Sequence, residues 1–228
     1  VDRLTLGSKR EAPTELLAAW LTETPHALIA LDAPLGWPAA LGAALHTHRA
    51  GDPLTPDATA LFTRLTDRRL HARTGKRPLE VGADRIARTA RAALELLQHA
   101  REASGQPIPL AWAPSAASGA RAIEVYPAGT LAAAGAPSSQ YKDPGSASRT
   151  PIIAALRARI NLPSNFDAMA APGDLLDALI CLWAGLDFLE GLALGPSAGE
   201  QSVAEHEGWI WVRGAGGGQA AGAAHGPW

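Results

Sequence analysis

The stretch His26–Pro38, HALIALDAPLGWP, constrains the fold more than any other part of this chain. A short run of small and branched apolar residues ends in one carboxylate, Asp32, and a Pro-Leu-Gly-Trp-Pro turn stops it. An apolar run this short, closed by breakers, predicts a strand buried on both faces. Asp32 then falls at the carboxyl end of that strand, where open α/β sheets place their ligands. A carboxylate there is either a site residue or a turn residue bonding its own backbone.

The flanking segments agree with an α/β reading. Residues 1–6 are expected to form a short strand closed by Gly7. Pro13 and Thr14 open a predicted helix over 15–22, and the central strand is expected over 27–32. A long helical region follows, about 39–110. Within it Thr66 is expected to cap a helix over 67–73 that Gly75 ends, and a second helix starts at Asp84 and stops at Gly105. Ala122–Pro127 is the next strand, followed by a small helix from Pro127. The Ser/Gly-rich stretch 137–148 is expected to be a mobile loop holding Tyr141 and Lys142. Helices are expected over 150–160, 173–190 and 200–207, and a last strand over 209–212. Residues 1–213 then make one domain, and the Gly/Ala-rich 214–228 is a low-complexity tail.

Composition excludes some classes. The 228 residues are 47% hydrophobic, enough for a core, and the net charge of −2 does not announce a nucleic-acid binder. The charge is uneven, however. Between Arg64 and Arg91 stand nine basic residues against three acidic ones, a band that suits either phosphate contacts or a solvated helix face. Cys181 is the only cysteine, which excludes a disulfide framework and a thiolate metal cluster; it reads as inert core. The apolar stretch 175–194 carries Asp177, Asp187 and Glu190 and is not a membrane span. With no visible signal peptide, a cytoplasmic location is expected.

The residues that ask for an explanation are carboxylates. Glu124 lies inside an apolar strand, where it must be paired, protonated or bound to a metal. Asp174 and Asp177 are three apart, neighbours on one helix face, and their repulsion calls for a cation or the helix N-terminus nearby. A helix cap at Asp174 with an exposed Asp177 is the plainer alternative. Together with Asp32 these form an oxygen-only set, which suits Mg²⁺ or Mn²⁺ rather than zinc. Ions so held serve phosphoryl transfer by stabilising the attacking and leaving oxygens.

Several ordered motifs carry a family resemblance: Asp32-Ala33-Pro34-Leu35-Gly36, Phe62-x-Arg64-Leu65-Thr66-Asp67-Arg68, Gly75-Lys76-Arg77-Pro78-Leu79, Asp84-Arg85-Ile86, Glu124-Val125-Tyr126-Pro127, Tyr141-Lys142, Asp177-Ala178-Leu179 and Glu207-Gly208-Trp209-Ile210. In these the chain resembles the family called domain of unknown function 429, over about residues 25–212. That family is regarded as predicted RNase H-like nucleases. The resemblance implies a mixed sheet flanked by helices, here with a helical insertion at about 39–110 and without the first hairpin of that fold. It implies a metal-dependent nuclease, a hydrolase of phosphodiester bonds, with Asp32, Asp174 and Asp177 as metal-binding and catalytic residues and Glu124 as a further catalytic candidate. Arg64, Asp67, Arg68, Arg77 and Lys142 are the expected substrate-binding residues. The cofactor is then Mg²⁺ or Mn²⁺ and the partner a nucleic acid or another phosphate-containing substrate, with no membrane. RNase H-like sites add an Asp from the first hairpin, so this chain is expected to be a weak or dead catalyst, with an open sheet edge that invites dimers. Two other functions stay open at this point. One is a non-catalytic nucleic-acid or nucleotide binder; the other is a hydrolase or transferase of a small phosphorylated metabolite.

Overall fold

The computed structural model describes residues 1, 4–5, 13–24, 26–82, 84–114, 119–162 and 171–214. The tail expected over 214–228 lies, after its first residue, outside the described residues, as does half of the strand expected over 1–6. Val1, Leu4 and Thr5 themselves are not in a strand.

The chain is a mixed α/β protein. In order it forms α1 (Pro13–Glu23), β1 (Leu28–Leu31), α2 (Ala39–Thr47), α3 (Ala58–Phe62), α4 (Leu65–Thr74), α5 (Asp84–Ser104), β2 (Arg121–Glu124), α6 (Pro127–Ala133), α7 (Arg149–Arg159), α8 (Gly173–Leu189), β3 (Ala193–Leu194), α9 (Gln201–Glu207) and β4 (Val212–Arg213). β1 and β2 are parallel, with Leu28 opposite Arg121 and Leu31 opposite Glu124. Leu110 and Ile210 extend this sheet by single parallel bridges to Ala122 and Glu124. β3 and β4 make a separate antiparallel pair. The strand expected over 209–212 is therefore split, its first half bridging β2 and its end pairing with β3.

Helices cover both faces of the sheet. On one face Ile29 and Ala122 pack with Leu21 of α1 and with Ala93, Leu97 and Ala100 of α5. On the other face Ile123 and Val125 pack with Cys181, Ala184 and Phe188 of α8. The region expected as an insertion thus supplies, through α5, a large part of one layer of the core, beside α1. The reason is in its sequence: Ala93, Leu97 and Ala100 recur at helical spacing and present one apolar stripe, while the arginines face out. A third cluster joins α6, α7 and α8 through Leu131, Ile152, Leu156, Leu176 and Leu179. Asp187, 1% exposed, ties α7 and β4 to α8 by pairing with Arg159 and Arg213.

Two local expectations change. The N-cap of α4 is Arg64, not Thr66, because the Asp67 carboxylate accepts from the Arg64 backbone N–H at 3.0 Å. Thr66 instead accepts from the Ile210 N–H through its hydroxyl at 2.8 Å. The stretch 137–148 is held at its centre, where Tyr141 is buried against α7 and α8. Gly75 does end α4 in the left-handed region, at φ 71°. Among the described residues no helix is long and apolar enough to cross a membrane.

Leu97 is 1% exposed at the contact of α5 with the sheet. Leu97→Ala is expected to lower stability by about 2–5 kcal/mol, measured as a fall in the urea midpoint with the slope of the transition unchanged.

Candidate functional site

The site is built on the loop that leaves β1. That loop is pinned from below by a buried charge network. Arg64, 1% exposed, uses all five of its N–H donors. Nε and Nη2 donate to Asp67 at 3.1 and 2.9 Å; Nη1 and Nη2 donate to Glu124 at 2.9 and 2.7 Å; Nη1 also donates to the Glu207 carbonyl at 3.2 Å. The two carboxylates and the remaining hydrogen bonds hold the guanidinium's pKa above its ordinary value against the desolvation that would lower it. Glu124 then accepts the Leu35 N–H at 2.9 Å, in the loop itself. Glu207 accepts from Ala39 and Leu65 N–H at 2.9 and 2.7 Å.

Two glycines make this closeness achievable. A Cβ on Gly36 would lie 2.6 Å from the Glu207 backbone, and one on Gly208 would lie 2.8 Å from Oε2 of Glu124. Gly208 also has φ +86°, which L side chains rarely adopt. The motifs around residues 32–36, 64–68, 124 and 207–208 thus meet at one interlock, and its product is the placement of Asp32.

Across a cavity of about 710 Å³, α8 supplies the other carboxylates. Asp32, Asp174, Asp177 and Lys142 all line it. Asp177 is 4% exposed; its Oδ1 accepts from the Tyr141 hydroxyl at 2.8 Å and its Oδ2 pairs with the Lys142 ammonium. Lys142 lies this close because α8 begins with a glycine: a Cβ on Gly173 would stand 3.0 Å from the Cβ of Lys142. Asp174 and Asp32 are open to the cavity. The apolar setting of Asp177 therefore marks burial, as its sequence neighbours suggested, and Lys142 is the cation that the pair required.

The electrostatics tie these groups together. The Asp32 carboxyl is pushed up to about 6, first by partial loss of water at the cavity wall and then by the charge of Asp177, with Lys142 opposing. Tyr126, the N-cap of α6, is raised by burial and then by Asp32, so its phenol shares the same field. The Tyr141 hydroxyl is raised by burial and by Asp177, which keeps it a donor. Burial and the same two acids push the Cys181 thiol well above its ordinary value; it is a protonated wall of the cavity, not a nucleophile.

The expected residues thus divide. Asp32, Asp174, Asp177 and Lys142 share one cavity. Arg64, Asp67 and Glu124 form the interlock beneath it and do not line it. The carboxylate in the apolar strand is explained by its arginine partner. Arg68 is exposed, donating to the Thr63 carbonyl at 2.6 Å, and Arg77 is exposed; neither lines the cavity. Tyr126 and Tyr141 were not among the expected site residues. Their only signal was their place inside the motifs Glu124-Val125-Tyr126-Pro127 and Tyr141-Lys142. Among the described residues no three His, Cys, Asp or Glu side chains stand together as metal ligands.

The family model for proteins of unknown function designated DUF429 matches residues 10–201. The chain belongs to the DUF429 family. No curated protein and no solved structure matches it. The family match spans the carboxylates and lysine of the cavity and most of the interlock, while Leu4 and Thr5 of the cavity and Glu207 and Gly208 of the interlock fall beyond it.

Arg64→Met would strand the Asp67 and Glu124 carboxylates in the core. It is expected to cost about 3–5 kcal/mol, as when one partner of a buried pair is removed, read by urea denaturation at pH 7. A second expectation concerns Asp32. Carbon-detected NMR should find its carboxyl titrating near 6, and Asp177→Asn should move it toward the ordinary 3.8. Its proton is held more tightly folded than unfolded, so its contribution favours folding below about pH 4 and is lost as pH rises through about 6. Asp32→Asn should therefore gain stability relative to the parent at pH 7 and lose that advantage at pH 4.

Proposed function

We propose that this DUF429 chain is a metal-dependent hydrolase of phosphodiester bonds with an RNase H-like sheet, working at the Asp32 cavity. The observation that supports it is that three carboxylates, from a strand end and one helix face, line one cavity at the carboxyl end of a parallel strand. Lys142 is the cation they share among the described lining residues, so the group carries excess negative charge into the cavity. Oxygen-only donors with excess negative charge suit a hard divalent ion.

As they stand the three acids are not gathered into a ligand set among the described residues, so one Mg²⁺ or Mn²⁺ would be held only once they draw together. Asp32 and Asp174 would hold it, and Asp177 would join once its oxygen is released by Lys142, whose side chain is 57% exposed and free to swing. Such an ion, when bound, polarises a phosphoryl oxygen and neutralises charge that develops on it. The chain's own residues do the rest. Tyr141 fixes one oxygen of Asp177 and so sets the direction of the other. Lys142, displaced from Asp177, would meet a phosphate oxygen. The apolar wall of Leu17, Trp20 and Leu182 excludes water from one side of the cavity.

A second reading is favoured by the engagement of both Asp177 oxygens: a module that binds a nucleic acid or nucleotide without cleaving it. Two measurements separate them. Mn²⁺ binding is followed by electron paramagnetic resonance, and cleavage is assayed on labelled single- and double-stranded DNA and RNA with Mg²⁺ or Mn²⁺. The hydrolase reading expects binding of Mn²⁺ with cleavage, each lowered about 100-fold or more by Asp32→Asn, and activity lowered about tenfold by Tyr141→Phe. Nucleic-acid binding without cleavage in either ion supports the module. Neither binding nor cleavage sinks both.

A further inference from the structure

The chain contains two tyrosines, Tyr126 and Tyr141, and both feel the charges of Asp32 and Asp177. They are used differently. The Tyr141 hydroxyl donates to Asp177 at 2.8 Å, so its hydrogen is committed to the protein's own carboxylate. Tyr126 bonds through its backbone carbonyl, which accepts from the Thr130 N–H at 2.9 Å and from the Thr130 hydroxyl at 3.4 Å. Its own hydroxyl has no hydrogen-bond partner among the described residues. Nor is that hydroxyl sealed in the interior: Tyr126 is half-buried and its oxygen reaches solvent.

The backbone explains where this side chain stands. β1 and β2 are parallel and in step, with Leu31 opposite Glu124, and the Val125 N–H donates to the Leu31 carbonyl at 2.8 Å. Asp32 follows Leu31 and Tyr126 follows Val125, so the two segments leave the sheet side by side at the carboxyl ends of their strands. Pro127 opens α6 directly afterwards and fixes the exit. Gly129 makes room for the ring: a Cβ there would stand 2.9 Å from a ring carbon of Tyr126 and 3.0 Å from Leu70. With Leu70 and Ile210 beside it, the ring is held by its apolar body while its polar end is unspent.

An unspent hydroxyl held beside several acids has a narrow chemical use. Asp32 is near enough to perturb the phenol, yet accepts no hydrogen bond from it. Burial first, and then the Asp32 charge, hold the phenol above its ordinary pKa, so it stays protonated and is a donor. A neutral donor can bond an anionic oxygen without adding negative charge to a site that already repels anions. Such a donor, fixed before the reaction, stabilises charge as it grows on a phosphoryl oxygen.

We propose that the Tyr126 hydroxyl is a substrate contact of the Asp32 site, donating a hydrogen bond to a non-bridging phosphoryl oxygen of the bound diester. The assignment rests on the hydrolase reading and adds to it a residue that touches the substrate.

The test follows cleavage of bis(para-nitrophenyl) phosphate with Mn²⁺, together with NMR of the chain labelled at the tyrosine ζ carbon. Each tyrosine gives its own signal, assigned by the Tyr126→Phe variant. That variant keeps the ring against Gly129, so circular dichroism and Mn²⁺ binding by electron paramagnetic resonance should be unchanged. It is expected to lower kcat/KM about tenfold, the loss of one hydrogen bond to the substrate. In the labelled parent with Mg²⁺, dimethyl phosphate should move the Tyr126 signal saturably. Full cleavage by Tyr126→Phe beside an active parent overturns the assignment and leaves the hydrolase reading standing. So does an active parent whose Tyr126 signal the diester does not move. Weakened Mn²⁺ binding by Tyr126→Phe also overturns it, since the hydroxyl would then act through the ion. A parent that cleaves nothing, while the diester moves the Tyr126 signal, overturns the hydrolase reading and supports the phosphate contact. No cleavage and no movement overturns both.

Discussion

The structure depends on one buried guanidinium. Arg64 joins three distant parts of the chain, α4, the end of β2 and the turn after α9, because its five donors reach Asp67, Glu124 and the Glu207 carbonyl at once. A buried ion pair gains little over apolar packing of the same shape, since desolvation offsets much of the Coulomb energy. What it confers is direction. Apolar side chains could fill the space beneath the 32–36 loop, but they would not fix where that loop turns. The fork of a guanidinium between two carboxylates, with Leu35 N–H bonded to one of them, does.

That direction matters because the loop delivers Asp32 to a cavity where charge is unbalanced. Three carboxylates and one ammonium share a space whose remaining wall is apolar, and the Asp32 carboxyl is raised there, first by loss of water and then by the charge of Asp177. The fold tolerates this imbalance at the cavity while the carboxylates of Asp67 and Glu124 are fully satisfied in the core by Arg64. Local satisfaction in the scaffold and local frustration at the cavity are what a binding or catalytic site is expected to show.

Periodicity and punctuation in the sequence determine the order of elements and most of their bounds. The apolar run before Asp32, the helical stripe of Ala93, Leu97 and Ala100, and the Gly75 stop each follow from local physics. So does the expectation that Asp174 and Asp177, three apart on one helix face, need a cation or the helix N-terminus nearby. Sequence alone could not sort the acids into scaffold and site. Asp67, Glu124 and Asp177 all stand in motifs, and all three are buried. Their difference is the partner. Asp67 meets Arg64 three positions away at the start of its own helix, a pairing that local spacing allows, whereas Glu124 meets the same arginine across sixty positions and Asp177 meets a lysine and a tyrosine from the 137–148 stretch. The last two pairings are a property of where chain segments cross, which spacing along one segment does not contain.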